Sequence, residues 1–315
     1  MQRTSVDVNG ITLSCLEAGS GPALLLCHGF PETAQAWRAQ IPVLAAAGYR
    51  VLAPDLRGYG ASSAPAAVDE YTVFHAVGDL VGLLDALSIG RVTVVGSDWG
   101  ATIAWQMAQM RPDRVAGVLA FGVPMMARAP LPPTRLFPRT DDALFYTLYF
   151  QDPGVAEAEL ERAIPAALRK IYHGASGDGS RTPFGMVDPA RGMLHGLSDP
   201  DTLPDWLMQS DLDRDAAAFA HSGFRGGLNY YRNLDRNWQL QASLDGMPVR
   251  VPALFAAGAR DAGLSMPGMD RIIATMPQLV TDLRGSVTID GAGHWVQRER
   301  PDEVNRLILA FAGSL

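Results

Sequence analysis

Cysteine is almost absent: Cys15 and Cys27 are the only two in 315 residues. Two thiols are too few for a disulfide framework and their spacing does not suit a metal site, so both are read as small buried hydrophobes in strands. Long apolar runs are missing as well. No segment approaches the roughly 18 to 20 residues of a membrane-spanning helix. The opening Met1-Gln-Arg-Thr-Ser-Val shows no apolar stretch of the secretory kind, so the expected location is the cytoplasm. Basic clusters are wanting too. With 26 Lys and Arg against 33 Asp and Glu, a net charge of -7 and no basic run, the chain argues against nucleic acid as a partner. No internal repeat is visible. What remains is an ordinary globular composition, 48% hydrophobic and 19% charged, enough for about two domains or one large α/β unit with an insertion.

The pattern turns on residues 91 to 105. Val92, Val94 and Val95 make the β-branched run of a strand covered on both faces, and Ala101, Ile103, Ala104 and Met107 begin a helical apolar pattern. Between them, Gly96-Ser97-Asp98-Trp99-Gly100 has the outline of a nucleophile elbow, whose apex is flanked by small residues because the turn is too sharp for side chains. The apex residue is Asp98, and Ser97 falls one place early. A carboxylate there suits attack on saturated carbon, giving an alkyl ester, whereas attack on an ester substrate would give a labile anhydride. The alternative is a Gly-Asp loop in which Asp98 only caps a helix.

Around this centre, Asn9-Gly10 between alternating runs predicts an antiparallel hairpin at a sheet edge. Residues 23–27 predict a buried strand that releases His28-Gly-Phe-Pro-Glu32 at the carboxyl end of the sheet. Helices are expected over 36–47 and 71–87, and strands over 50–53 and 116–121. This alternation specifies an α/β fold with a mostly parallel central sheet covered by helices. After Gly122 it stops. Pro-rich loops and short helices follow over 141–150, 155–170 and 199–220, with a Gly-, Ser- and Pro-rich loop at 173–192. Strands resume at 251–257 and 287–289, and a helix over 302–311 follows. The expected division is a core of residues 1–124 and 247–315 with a helical cap, or lid, inserted at 125–246.

An Asp98 ester needs a base to activate water. Of six histidines, only His294 lies just beyond a predicted strand in a Gly-rich turn, Gly291-Ala-Gly-His-Trp295. An imidazole of ordinary pKa, about 6.5, keeps a usable neutral fraction at pH 7. His28, His75, His173, His195 and His221 are read as structural or surface residues, with His28 ordering the loop it begins. Asp261, directly after the predicted strand at 251–257, is the acid expected to hold the imidazole, since no acid follows the strand at 116–121. Its alternative is a turn-forming role.

Together with Arg57-Gly-Tyr-Gly-Ala-Ser62, Tyr149-Phe-Gln-Asp-Pro-Gly-Val-Ala-Glu-Ala-Glu-Leu160 and Ser222-Gly-Phe-Arg-Gly-Gly-Leu-Asn-Tyr-Tyr-Arg-Asn233, these motifs make the chain resemble the soluble epoxide hydrolases of the α/β-hydrolase superfamily over nearly its whole length. The resemblance implies Asp98 as nucleophile, His294 as water-activating base and Asp261 as its partner. Two cap tyrosines that bind the epoxide oxygen fall on Tyr146 and Tyr231, next to Tyr149 and Tyr230. Phenols suit that task because opening the ring develops an alkoxide, and tyrosine is protonated at neutral pH.

The resemblance also implies an oxyanion hole from the N–H groups of Phe30 and Trp99, which elbow geometry permits, and a lipophilic epoxide substrate with no metal or cofactor. Phe30, Pro31, Trp99 and Met126 are expected to line the pocket, with plain core packing as the alternative. Departures are Ser97, where the family often has histidine, and the long Gly-rich section of the cap. A haloalkane dehalogenase would share Asp98, His294 and Trp99 but needs halide-binding donors instead of two tyrosines. A non-catalytic ligand-binding relative is the other alternative. Either a monomer or a homodimer is expected.

Overall fold

The protein's structure is a computed structural model that describes residues 1–179 and 185–315. Asn9 and Gly10 both take positive φ, 49° and 79°, the geometry that matches the twist of a tight hairpin. They join β1 (Gln2–Val8) to β2 (Ile11–Ala18), with Val8 paired to Ile11. In chain order there follow β3 (Ala23–Cys27), α1 (Gln40–Ala46), β4 (Arg50–Pro54), α2 (Val73–Ala86), β5 (Val92–Ser97), α3 (Trp99–Met110) and β6 (Val115–Phe121). Next come β7 (Leu144–Phe145), α4 (Tyr146–Tyr149), α5 (Val155–Leu160), α6 (Ile164–Ala175), β8 (Met186–Val187), α7 (Gln209–Ser222), α8 (Arg225–Arg232) and α9 (Leu234–Leu240). After them lie β9 (Ala253–Gly258), α10 (Met269–Leu279), β10 (Leu283–Ile289), α11 (Val296–Glu299) and α12 (Pro301–Gly313).

The main sheet runs β1-β2-β4-β3-β5-β6-β9-β10. Only the β1–β2 and β2–β4 pairings are antiparallel; β4 to β10 form a parallel block, as the alternation of strands and helices specified. Every residue of β5 and β9 is buried, which accounts for their continuous apolar runs, whereas edge strand β10 alternates half-buried and exposed positions up to the buried Ile289. Because side chains alternate across a strand, Leu24 and Leu26 join Ile41 of α1 and Ile308 of α12 on one face. Leu25 and Cys27 join Leu80 of α2 and Ile103 of α3 on the other. Each fully buried Leu contributes about 2 kcal/mol by transfer from water. Cys15 and Cys27 are free and buried.

Between β6 and β9 the structure differs from expectation in detail. Residues 141–150 hold the short strand β7, paired antiparallel with β8, before the single turn of α4. Residues 199–220 were expected as several short helices, but one helix, α7, starts only at Gln209. Pro200 and Pro204 disfavour helical backbone at the residues before them, and this keeps the segment irregular up to α7. Of the loop expected at 173–192, residues 180–184 lie outside the described residues, while α6 continues to Ala175. No helix among the described residues is long and apolar enough to cross a membrane.

Candidate active site

β5 ends at Ser97 and α3 begins at Trp99, so the whole reversal falls on Asp98, held at φ 54° and ψ −120°. A non-glycine residue at positive φ is strained, and it is sustained here by its flanks. A Cβ on Gly96 would stand 2.2 Å from the Gly100 carbonyl oxygen, and one on Gly100 would stand 2.1 Å from that of Cys27. No side chain fits at either place. Asp98 makes no capping bond to α3, which removes the capping alternative. Its Oδ1 accepts the Phe30 N–H at 2.8 Å, and its Oδ2 lies 3.5 Å from His294 Nε2. Ser97 is buried in the strand.

Asp261 follows β9 and uses both oxygens. Oδ1 accepts the Gly263 N–H at 2.8 Å, and Oδ2 lies 3.0 Å from His294 Nδ1. With Nδ1 donating to Asp261, Nε2 is the nitrogen turned towards Asp98. Burial disfavours the imidazolium, but the Asp261 and Asp98 carboxylates together outweigh it and hold His294 well above its ordinary value. His28 is different. Its Nε2 accepts the Leu56 N–H at 3.0 Å and its Nδ1 donates to the Gly29 carbonyl at 2.9 Å, so it ties the Phe30 loop to the loop after β4. Burial lowers its pKa and favours the neutral ring this bonding requires.

The two expected tyrosines meet across one cavity. Tyr146 opens α4 and Tyr231 lies in α8; both line the cavity with Asp98 and His294. Their rings stand 5.8 Å apart at 73°. Burial, followed by the Asp98 charge, raises both phenols above their ordinary value, so both stay protonated. Their neighbours point elsewhere. Tyr149 donates to Glu159 at 2.9 Å, and Tyr230 donates to the Arg57 carbonyl at 3.1 Å.

The cavity holds about 630 Å³ of space, its open mouth included. Phe30 and Pro31 line it as expected, whereas Trp99 stands one layer behind, with its ring edge-on to Tyr231 at 5.2 Å. As the first residue of α3, Trp99 has a backbone N–H with no acceptor inside the helix. Met126 is a correction. It is 44% exposed and does not line the cavity. After Gly122, at φ 75°, the chain runs outward, and Arg128 stacks on Trp238 at 3.9 Å, fixing that stretch at the surface. Met193 and Met266 supply sulfur-bearing walls instead. Both come from irregular segments, where no periodicity in the sequence marks an inward face.

Residues 22–301 match the family model of the α/β hydrolase fold. The chain is 44% identical to epoxide hydrolase A of Mycobacterium tuberculosis, over 98% of this chain and 97% of that one. Among solved structures, an epoxide hydrolase from an endophytic Streptomyces matches with a TM-score of 0.95 and 40% identity, covering 99% of this chain and 95% of the other. Epoxide hydrolase A from Mycobacterium thermoresistibile matches with a TM-score of 0.91 and 43% identity, over 98% and 97% of the two chains. An apex carboxylate paired with a histidine, faced by two phenols and carried on this sheet, accords with those likenesses, and the chain belongs to the epoxide hydrolases of the α/β-hydrolase family.

Proposed function

We propose that the protein hydrolyses a neutral, apolar epoxide to a vicinal diol through a covalent ester on Asp98, with residues 125–246 acting as the lid over the site. One arrangement carries this reading. Asp98 has one oxygen on the Phe30 N–H and the other near His294, and the Tyr146 and Tyr231 phenols line the same cavity. In the first step an Asp98 oxygen bonds to an epoxide carbon as the carbon–oxygen bond of the ring breaks, and a phenol supplies a proton to the departing alkoxide. Two protonated hydroxyls suit an alkoxide better than a halide. Esterification removes the Asp98 charge, one of the two that favour the His294 cation, and so moves His294 towards the neutral form that can take a proton from water. The resulting hydroxide attacks the ester carbonyl, whose oxyanion the N–H groups of Phe30 and Trp99 receive. As it collapses the ester carbon–oxygen bond breaks, the leaving diol oxygen takes the proton held on His294, and the proton shed by the Asp98 carboxyl returns to the phenolate.

Away from those polar groups the wall is made of residues such as Phe145, Phe150, Ile171 and Met193, and among the described residues no Lys or Arg lines it. A substrate carrying a carboxylate near the ring would therefore meet Asp98 and Asp261 with His294, already paired to both, as the only cation among the described lining residues. The test is a single turnover of styrene oxide in oxygen-18 water with enzyme in excess. Diol from the first turnover should carry an unlabelled oxygen taken from Asp98. Diol labelled from water in that turnover would mean direct attack by water and would overturn the covalent route.

A further inference from the structure

We propose that Glu299 is the positioning residue for His294, clamping the loop that carries the base against the end of cap helix α6. The inference rests on the reading of His294 as the base for ester hydrolysis. Glu299 is 4% exposed and is not among the residues that line the active-site cavity. Its carboxylate accepts three backbone N–H groups: Gly293 at 2.9 Å and Gly177 at 2.8 Å on Oε2, and Trp295 at 3.0 Å on Oε1. Gly293 and Trp295 are the residues on either side of His294. Gly177 lies two residues past the end of α6. One side chain thus grips the base loop on both sides of the imidazole and ties it to the segment across from it.

The rest of this contact has the same sense. The His294 N–H donates to the Ala175 carbonyl at 2.9 Å, and the Trp295 indole N–H donates to the Tyr172 carbonyl at 2.9 Å. Arg260, next to Asp261, donates to the Gly177 carbonyl at 2.8 Å. A Cβ on Gly293 would stand 2.3 Å from the Gly177 nitrogen, so the two backbones are already in contact. Only a group with two acceptor oxygens can serve all three N–H groups, and charge-assisted bonds of this kind are among the stronger ones. A glutamine offers one oxygen and turns an N–H₂ group towards at least one donor.

His294 acts in the second half-reaction, so its displacement has a distinctive signature. In Glu299→Gln, hydrolysis of the alkyl-enzyme should slow about 10-fold or more while alkylation changes less than about threefold, because a misplacement near 1 Å already costs that much in rate. Alkyl-enzyme should then accumulate in the steady state, measurable by intact mass and quenched-flow analysis with styrene oxide. Glu299→Asp, which keeps the charge on a shorter arm, should recover part of the hydrolysis rate. A residue that merely stabilises the fold would lower both rates alike through the active fraction, and that result, or unchanged hydrolysis, overturns the proposal. If neither variant folds, the carboxylate serves the whole structure and the assignment to His294 is withdrawn. The proposal and the reading beneath it fail differently. When His294→Gln traps the ester and Glu299→Gln does not, Glu299 alone is wrong; when His294→Gln consumes substrate and traps nothing, the reading of His294 as the base is wrong.

Discussion

The rings of Tyr146 and Tyr231 stand 5.8 Å apart at 73°, one at the start of α4 and the other in α8. They belong to segments 85 positions apart in the chain and share one cavity with Asp98. Each phenol can donate to the developing alkoxide, so the two act together on it. Tyr146→Phe and Tyr231→Phe should each slow alkylation by about 10² to 10³-fold, the usual cost of one donor at a developing oxyanion. The double variant should lose turnover. Single-turnover formation of the alkyl-enzyme measures this, and a double variant with near-normal alkylation would remove the phenols from the chemistry.

The ion pairs of His294 lead to a second expectation. His294→Gln leaves Asp98 and its Phe30 contact in place but removes the base, so the ester should form and persist. Intact-mass measurement should show the enzyme heavier by one epoxide. Substrate consumption with no adduct would mean that another group activates water.

Protonation of His294 should also be visible in stability. Its folded pKa is raised above 6.5 because Asp261 and Asp98 outweigh the cost of burial. The folded state therefore binds the proton more tightly than the unfolded chain, and the stabilisation is complete below pH 6.5 and fades as pH climbs through the raised folded value. The difference in Tm between the wild-type protein and His294→Gln should be constant at low pH and narrow above about pH 6.5. Calorimetry from acid to alkaline pH checks this. Parallel curves would mean that the imidazole does not gain a proton on folding.

Local sterics and short-range pattern explain which features the sequence disclosed. The hairpin at Asn9-Gly10 and the elbow at Asp98 depend on residues within a few positions of each other, and each carries its own backbone requirement. The parallel sheet was legible because β5 and β9 are covered on both faces. Helix α10 was not expected: it starts after Gly268 and contains Pro277, and Met276 is its one buried residue. Met126 and Met266 look alike in composition, yet one faces solvent and the other the cavity, because their loops are routed by distant packing. The choice between Tyr230 and Tyr231 had the same origin. Adjacent helical residues point about 100° apart, so the answer depends on how α8 lies against the core. There the backbones of Gly226 and Gly58 touch: a Cβ on Gly226 would stand 2.3 Å from the Gly58 oxygen.

That contact makes the neighbouring tyrosines a matched pair with opposite expected outcomes. Tyr230 is fully buried, donates to the Arg57 carbonyl at 3.1 Å, and packs near Tyr59 and Tyr71. Arg57 is itself held by a buried two-point ion pair with Asp79, at 2.5 and 2.6 Å, so the carbonyl cannot easily turn to another donor. Tyr230→Phe should therefore cost about 1 to 3 kcal/mol of stability, the penalty for a buried acceptor left without a partner. Tyr231 remains in place, so alkylation by the folded variant should stay within about threefold of the wild type, far from the 10²-fold expected when a reacting donor is lost. Tyr231→Phe should show the reverse, with Tm little changed and alkylation much slower. Denaturant unfolding and single-turnover alkylation on both variants separate the cases. If Tyr230→Phe loses alkylation as severely as Tyr231→Phe while remaining folded, the division of labour between the two phenols is wrong.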